Sequence, residues 1–341
     1  MATLRTLRNR TATAASHLLT RFHDWPIFFP DHQLSNTITR RSLQTLAYEE
    51  IQSSPDKPYA RTAFVLHGLL GTGRNWRSFS RSLASTLSKS SPSEWRMVLV
   101  DLRNHGKSAE IEGFDPPHDI MNAAKDLANL VKHKGWAWPD VVIGHSMGGK
   151  VALQFAQSCV AGDYGENVAI PKQLWVLDSV PGEVKTENSD GEVEKVLQTL
   201  QSLPSSLPSR RWLVNHMMEL GFSKSLSEWI GSNLKKSGEQ ETWAFNLEGA
   251  IRMFNSYREM SYWSLLEHPP KGMEIAMVRA DKSDRWDPDV VKQLESLSSR
   301  EGDGSEGKFL VHILRNSGHW VHVDNPKGLL EIVAPKIISL Q

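Results

Sequence analysis

The chain is poor in the features that would mark it as secreted, membrane-spanning or nucleic-acid-binding. It has one cysteine, Cys159, in 341 residues. An internal disulfide is therefore excluded, and with it the oxidised framework of small extracellular proteins. No uninterrupted apolar run reaches the eighteen residues a spanning helix needs. Lys+Arg and Asp+Glu balance at 39 each, so the composition suggests no polyanionic partner and no nucleic acid. The Gly-rich segment at 68–73 lacks the Gly-Lys-Ser/Thr ending of a phosphate-binding P-loop. Cys159 falls on the apolar face of a helical pattern, which reads as core packing rather than a reactive thiol.

Acids are also missing from the first twenty-three residues. Arg5, Arg8, Arg10 and Arg21 stand there among Thr, Ala and Ser. This is the composition of an organelle transit peptide. Residues 1–42 are accordingly expected to be a removable targeting segment or a disordered tail, with the mitochondrion as the expected location, a plastid the alternative and the cytoplasm the third. From about Leu46 onward, strand and helix signals alternate. Short apolar runs at 63–67, 97–100, 141–143, 174–177, 275–278 and 309–314 predict strands of a parallel sheet buried on both faces. Stripes such as Ala123, Ala124, Leu127, Leu130 and Val131 predict the covering helices. A last helix is expected near 326–340, and 301–307 reads as a surface loop. The alternation stops across 182–272, which shows no clear strand but scatters Trp212, Trp229, Trp243, Phe245, Phe254 and Trp263. A helical cap or lid is expected there, between core segments 43–181 and 273–341.

What is present is a Gly-x-Ser-x-Gly segment, Gly144-His145-Ser146-Met147-Gly148. A β-branched run precedes it. Val151, Ala152, Phe155, Ala156, Cys159 and Val160 recur after it at helical spacing. As a bare pentapeptide it reads equally well as a flexible turn. Between a strand and a helix it reads as a nucleophile elbow, with Ser146 lifted above the end of the sheet. Gly144 and Gly148 are then required because a side chain at either place would strike a neighbouring strand or helix.

A nucleophilic serine needs a base, an orienting acid and an oxyanion hole. Of 13 histidines, His319 follows the last expected strand and so lies on the edge where ligands meet open α/β sheets. His322 is its nearest rival, placed where a structural role is expected. Two positions compete for the acid: Asp178, at the end of the 174–177 strand, and Asp281 or Asp284 after the 275–278 strand. Each also reads as a turn former or helix cap. The oxyanion donors are expected from the amides of Met147 and Leu69. Asp101 and Arg103 are expected to brace their loop.

His67-Gly68, Asp101-x-Arg-x-His-Gly-x-Ser108, the elbow and Gly318-His319 occur in order. With these the chain resembles an α/β-hydrolase over nearly everything after residue 46. The likeness is greatest to the small acyl-esterase branch that includes bacterial acyl-CoA esterases and a mitochondrial abhydrolase-domain protein. Arg103-Asn104-His105-Gly106, Lys150 and Gly318-His319-Trp320-Val321-His322 carry that likeness. It implies the α/β-hydrolase fold, with the cap inserted after the strand the family counts as its sixth. In the family's commonest pattern, Ser283 occupies the acid position and Asp284 falls one residue late. Members of this branch also tend to carry serine there. The resemblance therefore favours Asp178, with Asp284 as the alternative.

The expected function is a serine hydrolase of small-molecule carboxylic esters or thioesters that works through an acyl-enzyme and requires no cofactor or metal. The serine at the elbow disfavours epoxide hydrolysis and dehalogenation, which use an aspartate there. Carbon–carbon bond or peptide hydrolysis, or a slow-turnover ligand-binding or partner-protecting role on the same fold, are the alternatives.

Overall fold

The structure is a computed structural model that describes residues 45–184, 191–300 and 306–340. The expected targeting segment 1–42 lies outside these residues, as does most of the 301–307 loop. Seven strands form one sheet: β1 Tyr48–Gln52, β2 Arg61–Leu66, β3 Trp95–Val100, β4 Val141–His145, β5 Gln173–Leu177, then β9 Glu274–Ala280 and β10 Lys308–Leu314. Their order is β1-β3-β2-β4-β5-β9-β10. Every pairing is parallel except the antiparallel β1–β3 edge.

Alternate strand residues feed opposite faces. Phe64, Leu66, Val98, Val100, Val142, Leu174 and Val176 pack with helices α2 Ile120–Lys134 and α3 Met147–Ala161. Ala63, Val65, Met97, Leu99, Ile143, Trp175 and Leu177 pack with α1 Arg77–Ser90 and α11 Pro326–Ile338. Strands β2 to β5 are almost wholly buried because both faces are covered. After β2 the chain places β3 on one side and β4 on the other. The crevice above that reversal of order is where an open α/β sheet presents its ligand site.

Strand β1 was not among the expected strands. Its sequence, Tyr-Glu-Glu-Ile-Gln, is only half buried and pairs on one side, so it carries the charges of an edge and no apolar run. The insertion departs from expectation in part. Between β5 and β9 lie helices α4 Gly191–Ser202, α5 Arg210–Glu219, α6 Lys224–Gly231, α7 Leu247–Glu259 and α8 Trp263–Glu267. They are joined by a three-stranded antiparallel sheet of β6 Ser206–Leu207, β8 Gln240–Trp243 and β7 Leu234–Ser237. The cap is therefore mainly helical, as expected, with a small sheet added. Strands β7 and β8 form a hairpin in which Ser237 faces Gln240, with Gly238 at φ +64°. The hairpin reads Lys-Lys-Ser-Gly-Glu-Gln-Glu-Thr. Such strands are stabilised by the turn and the backbone ladder, so hydropathy does not show them.

Candidate active site

Ser146 stands between β4 and α3 at φ 52°, ψ −120°, a conformation that is strained for a residue with a side chain. Tight packing enforces it. A Cβ on Gly144 would lie 2.1 Å from the Gly148 carbonyl oxygen, and one on Gly148 would lie 2.5 Å from the His67 carbonyl oxygen. The amide of Ser146 donates to the Leu177 carbonyl at 3.0 Å, tying the turn to β5.

His319 follows β10 in a loop held from several sides. The Gly318 amide donates to Asp324 and the Ser317 amide to Asp281. The Nε2–H of His145 donates to the His319 carbonyl at 2.8 Å. Nδ1 of His319 meets Asp178 Oδ2 at 2.8 Å, leaving Nε2 as the nitrogen open to a proton from elsewhere. Asp178 is fully buried and also accepts from Ser283 Oγ at 2.6 Å, Trp286 Nε1 at 2.7 Å and the Ala280 amide at 3.0 Å. The structure thus pairs His319 with Asp178. Asp284 lines the cavity in front, and Asp281 braces the Ser317 amide. Serine at the position where the family usually places its acid donates to the aspartate on the neighbouring strand. Trp286 was not foreseen, and no local signal links it to a carboxylate 108 residues away.

The electrostatics follow from burial and neighbours. Burial works to raise the Asp178 pKa. The hydrogen bonds from His319, Ser283 and Ala280 outweigh it and hold the carboxyl below its usual range. Burial lowers the His319 pKa and the Arg285 guanidinium adds to that, with Asp178 pulling the other way. The net effect is a lowered pKa, which keeps the imidazole neutral near pH 7 and able to accept a proton. Burial also brings His322 down to about 4, and its ring stacks on Trp76 at 4.2 Å. His322 therefore packs beside the site without bonding to Asp178.

The loop after β2 reaches the same point. Gly68 comes so near Ser146 that a Cβ there would sit 3.1 Å from the serine Cβ. His67 pins this loop. Its Nε2 accepts from the Leu102 amide at 3.0 Å and its Nδ1–H donates to the Gly68 carbonyl at 2.7 Å. Burial lowers its pKa to about 4, so it stays neutral and can do both. Leu69 and Met147 face the same cavity as Ser146 and His319. Asp101 accepts from the Gly73 and Lys107 amides. Arg103 makes a two-pronged pair with Asp126 at 2.6 and 3.0 Å. Both brace loops rather than enter the cavity.

That cavity encloses about 410 Å³. Core loops form one wall; Val196, Leu197, Leu226, Trp229, Phe254 and Tyr257 of the insertion form the other. Among the described residues no group of three His, Cys, Asp or Glu side chains is arranged to hold a metal.

The alpha/beta hydrolase family model matches residues 63–332. The chain belongs to the alpha/beta hydrolase family. Within it, the sn-1-specific diacylglycerol lipase ABHD11 of Danio rerio is 23% identical over 320 residues, covering 91% of this chain and 87% of the relative. A probable alcohol acetyltransferase of Saccharomyces cerevisiae is 36% identical over 292 residues, covering 79% of this chain and 75% of the relative. Among solved structures, a marine microorganism esterase superposes with a TM-score of 0.65 at 20% identity, covering 87% of this chain and 99% of its own. The last likeness concerns the fold. No helix among the described residues is long and apolar enough to cross a membrane.

Proposed function

We propose that this chain is a serine hydrolase of small-molecule carboxylic esters and thioesters. The observation that carries the proposal is the 2.8 Å pairing of His319 Nδ1 with buried Asp178, opening on the cavity that Ser146 also lines. Ser146 Oγ attacks the acyl carbon and gives its proton to His319 Nε2. The amides of Leu69 and Met147 receive the negative charge that forms on the carbonyl oxygen. Asp178 holds the imidazole in the tautomer that accepts at Nε2 and stabilises the imidazolium. The leaving alcohol or thiol takes that proton, and water attacks the acyl-enzyme by the reverse sequence. The apolar wall from Val196 to Tyr257 accepts the acyl chain. The lipase and esterase names of the relatives support esters as the substrate class.

A fluorophosphonate probe tests the reaction class. The folded protein is expected to label at Ser146, and Ser146→Ala to lose both labelling and about ten-thousand-fold or more in kcat. A folded wild type that stays unlabelled would reduce the chain to a ligand-binding or partner-protecting protein on this fold. The acid-free, Arg-bearing start supports targeting by residues 1–42, to the mitochondrion before the plastid. A fluorescent fusion of that segment is expected to enter the organelle, and a diffuse cytosolic signal would refute it.

A further inference from the structure

Lys150 is a buried cation that the mechanism leaves without a task. Lys150 lies four residues after Ser146 on α3 and has no solvent exposure. A buried ammonium is tolerated only when its N–H groups meet acceptors. Lys150 Nζ donates to the carbonyls of Gly182 at 2.6 Å, Tyr257 at 2.6 Å and Met260 at 2.7 Å. It also stands 4.4 Å from the centre of the Tyr257 ring. The three carbonyls belong to two stretches of chain: Gly182 is where the insertion leaves the core, and Tyr257 and Met260 lie at the carboxyl end of α7. Helix ends leave carbonyls without partners and carry partial negative charge, so a cation there is doubly favourable.

Neighbouring bonds follow the same line. The Val184 amide donates to the Arg258 carbonyl and the Tyr262 amide to the Pro181 carbonyl. Tyr262 Oη–H donates to Gln154 at 2.9 Å, and Gln154 donates to Ser158. Lys150, Gln154 and Ser158 recur every fourth residue, a buried polar stripe among otherwise apolar buried positions of the helix. The departing and returning strands of the insertion are thus fastened to each other and to the helix that begins at the nucleophile. Phe254 and Tyr257 of the fastened helix face the cavity.

We infer that Lys150 is a positioning residue for substrate selection: it clamps the end of α7 so that Phe254 and Tyr257 stand as a fixed wall for the acyl chain. The inference rests on the hydrolase reading above, in which that wall meets the acyl group. Its consequence is selective. A long acyl chain uses the wall and a two-carbon one does not. Loss of the clamp therefore weakens long-chain turnover more than short.

The test compares acetyl and octanoyl p-nitrophenyl esters on the full-length protein. Lys150→Met is expected to lower the octanoyl-to-acetyl ratio of kcat/KM about tenfold, mainly through the octanoyl KM. In a double-mutant cycle with Phe254→Ala, the second change is expected to add little. Hydrogen exchange at the Val184 and Tyr262 amides is expected to quicken, while exchange in β4 holds. An unaltered ratio, or equal losses on both esters, overturns the inference. Should Lys150→Met not fold, Lys150→Arg keeps the charge on a longer, planar head and is expected to shift the ratio the same way by less. An unaltered ratio in that variant overturns the inference equally. If the wild type hydrolyses neither ester and resists the fluorophosphonate, the hydrolase reading fails. The exchange at Val184 and Tyr262 still reports whether the clamp exists.

Discussion

At the carboxyl edge of the sheet, the candidate site residues are held by hydrogen bonds and tight backbone packing that leave them little freedom. Asp178 accepts four, the His319 loop is tied through Gly318, Ser317 and the His319 carbonyl, and Ser146 is forced into a left-handed backbone by two glycines. The insertion facing them presents Leu197, Leu226, Trp229 and Phe254, which meet the cavity through apolar surface. Directional bonds set positions to fractions of an ångström, as proton transfer and attack demand. Apolar contact is graded and tolerant of shape, as recognition of a hydrocarbon chain permits. Changes in the first region are therefore expected to stop the chemistry, and changes in the second to re-rank substrates.

The acid gives the sharpest contrast. Asp178→Asn keeps the shape but removes the charge that fixes the His319 tautomer, and kcat is expected to fall by about a thousand- to ten-thousand-fold. Asp284→Asn, which changes a carboxylate lining the same cavity, is expected to cost less than about threefold on the same measure. Steady-state kinetics of the two variants side by side decide it, and the opposite ranking would assign the acid to the loop after β9.

On the other side, Trp229→Ala is expected to raise KM for octanoyl esters by about tenfold, from lost apolar contact, with kcat on acetyl esters little changed. A comparable kcat loss on both esters would show that the insertion takes part in the chemistry and would dissolve the distinction.

The smallest effect is electrostatic. Burial and the Arg285 guanidinium both lower the His319 pKa, so the acid limb of kcat/KM is expected below the ordinary histidine value of 6.5. Arg285→Gln removes a cation that opposes protonation. The pKa rises, and the acid limb moves to higher pH. A pH profile that does not move, or moves to lower pH, would mean that Arg285 is not part of the field at the imidazole.

The order of these residues in the chain explains which of them a reader can find. Gly144, Ser146 and Gly148 constrain one another within five positions, and His319 sits directly after a strand run. The five internal strands were readable because burial on both faces demands continuous apolar runs, and the β10 edge still shows a largely apolar run at 309–314. β1 was not, since this edge strand carries two glutamates among its five residues and no apolar run. The β7–β8 hairpin was not, since its residues are charged. Asp178 was favoured over Asp284 through resemblance to a family; local spacing alone left the two level.

The sequence alone determined the hydrolase fold of the core, the elbow serine, the histidine and the glycine loop, because each is imposed by backbone geometry or periodic burial over a few consecutive residues. Tertiary structure alone decided the rest. Ser283 and Trp286 arrive from the loop after β9 to bind the carboxylate, and Lys150 gathers carbonyls from Gly182 and from the end of α7. Those partners are brought together by packing between elements some thirty to more than a hundred residues apart. No local propensity encodes such a meeting.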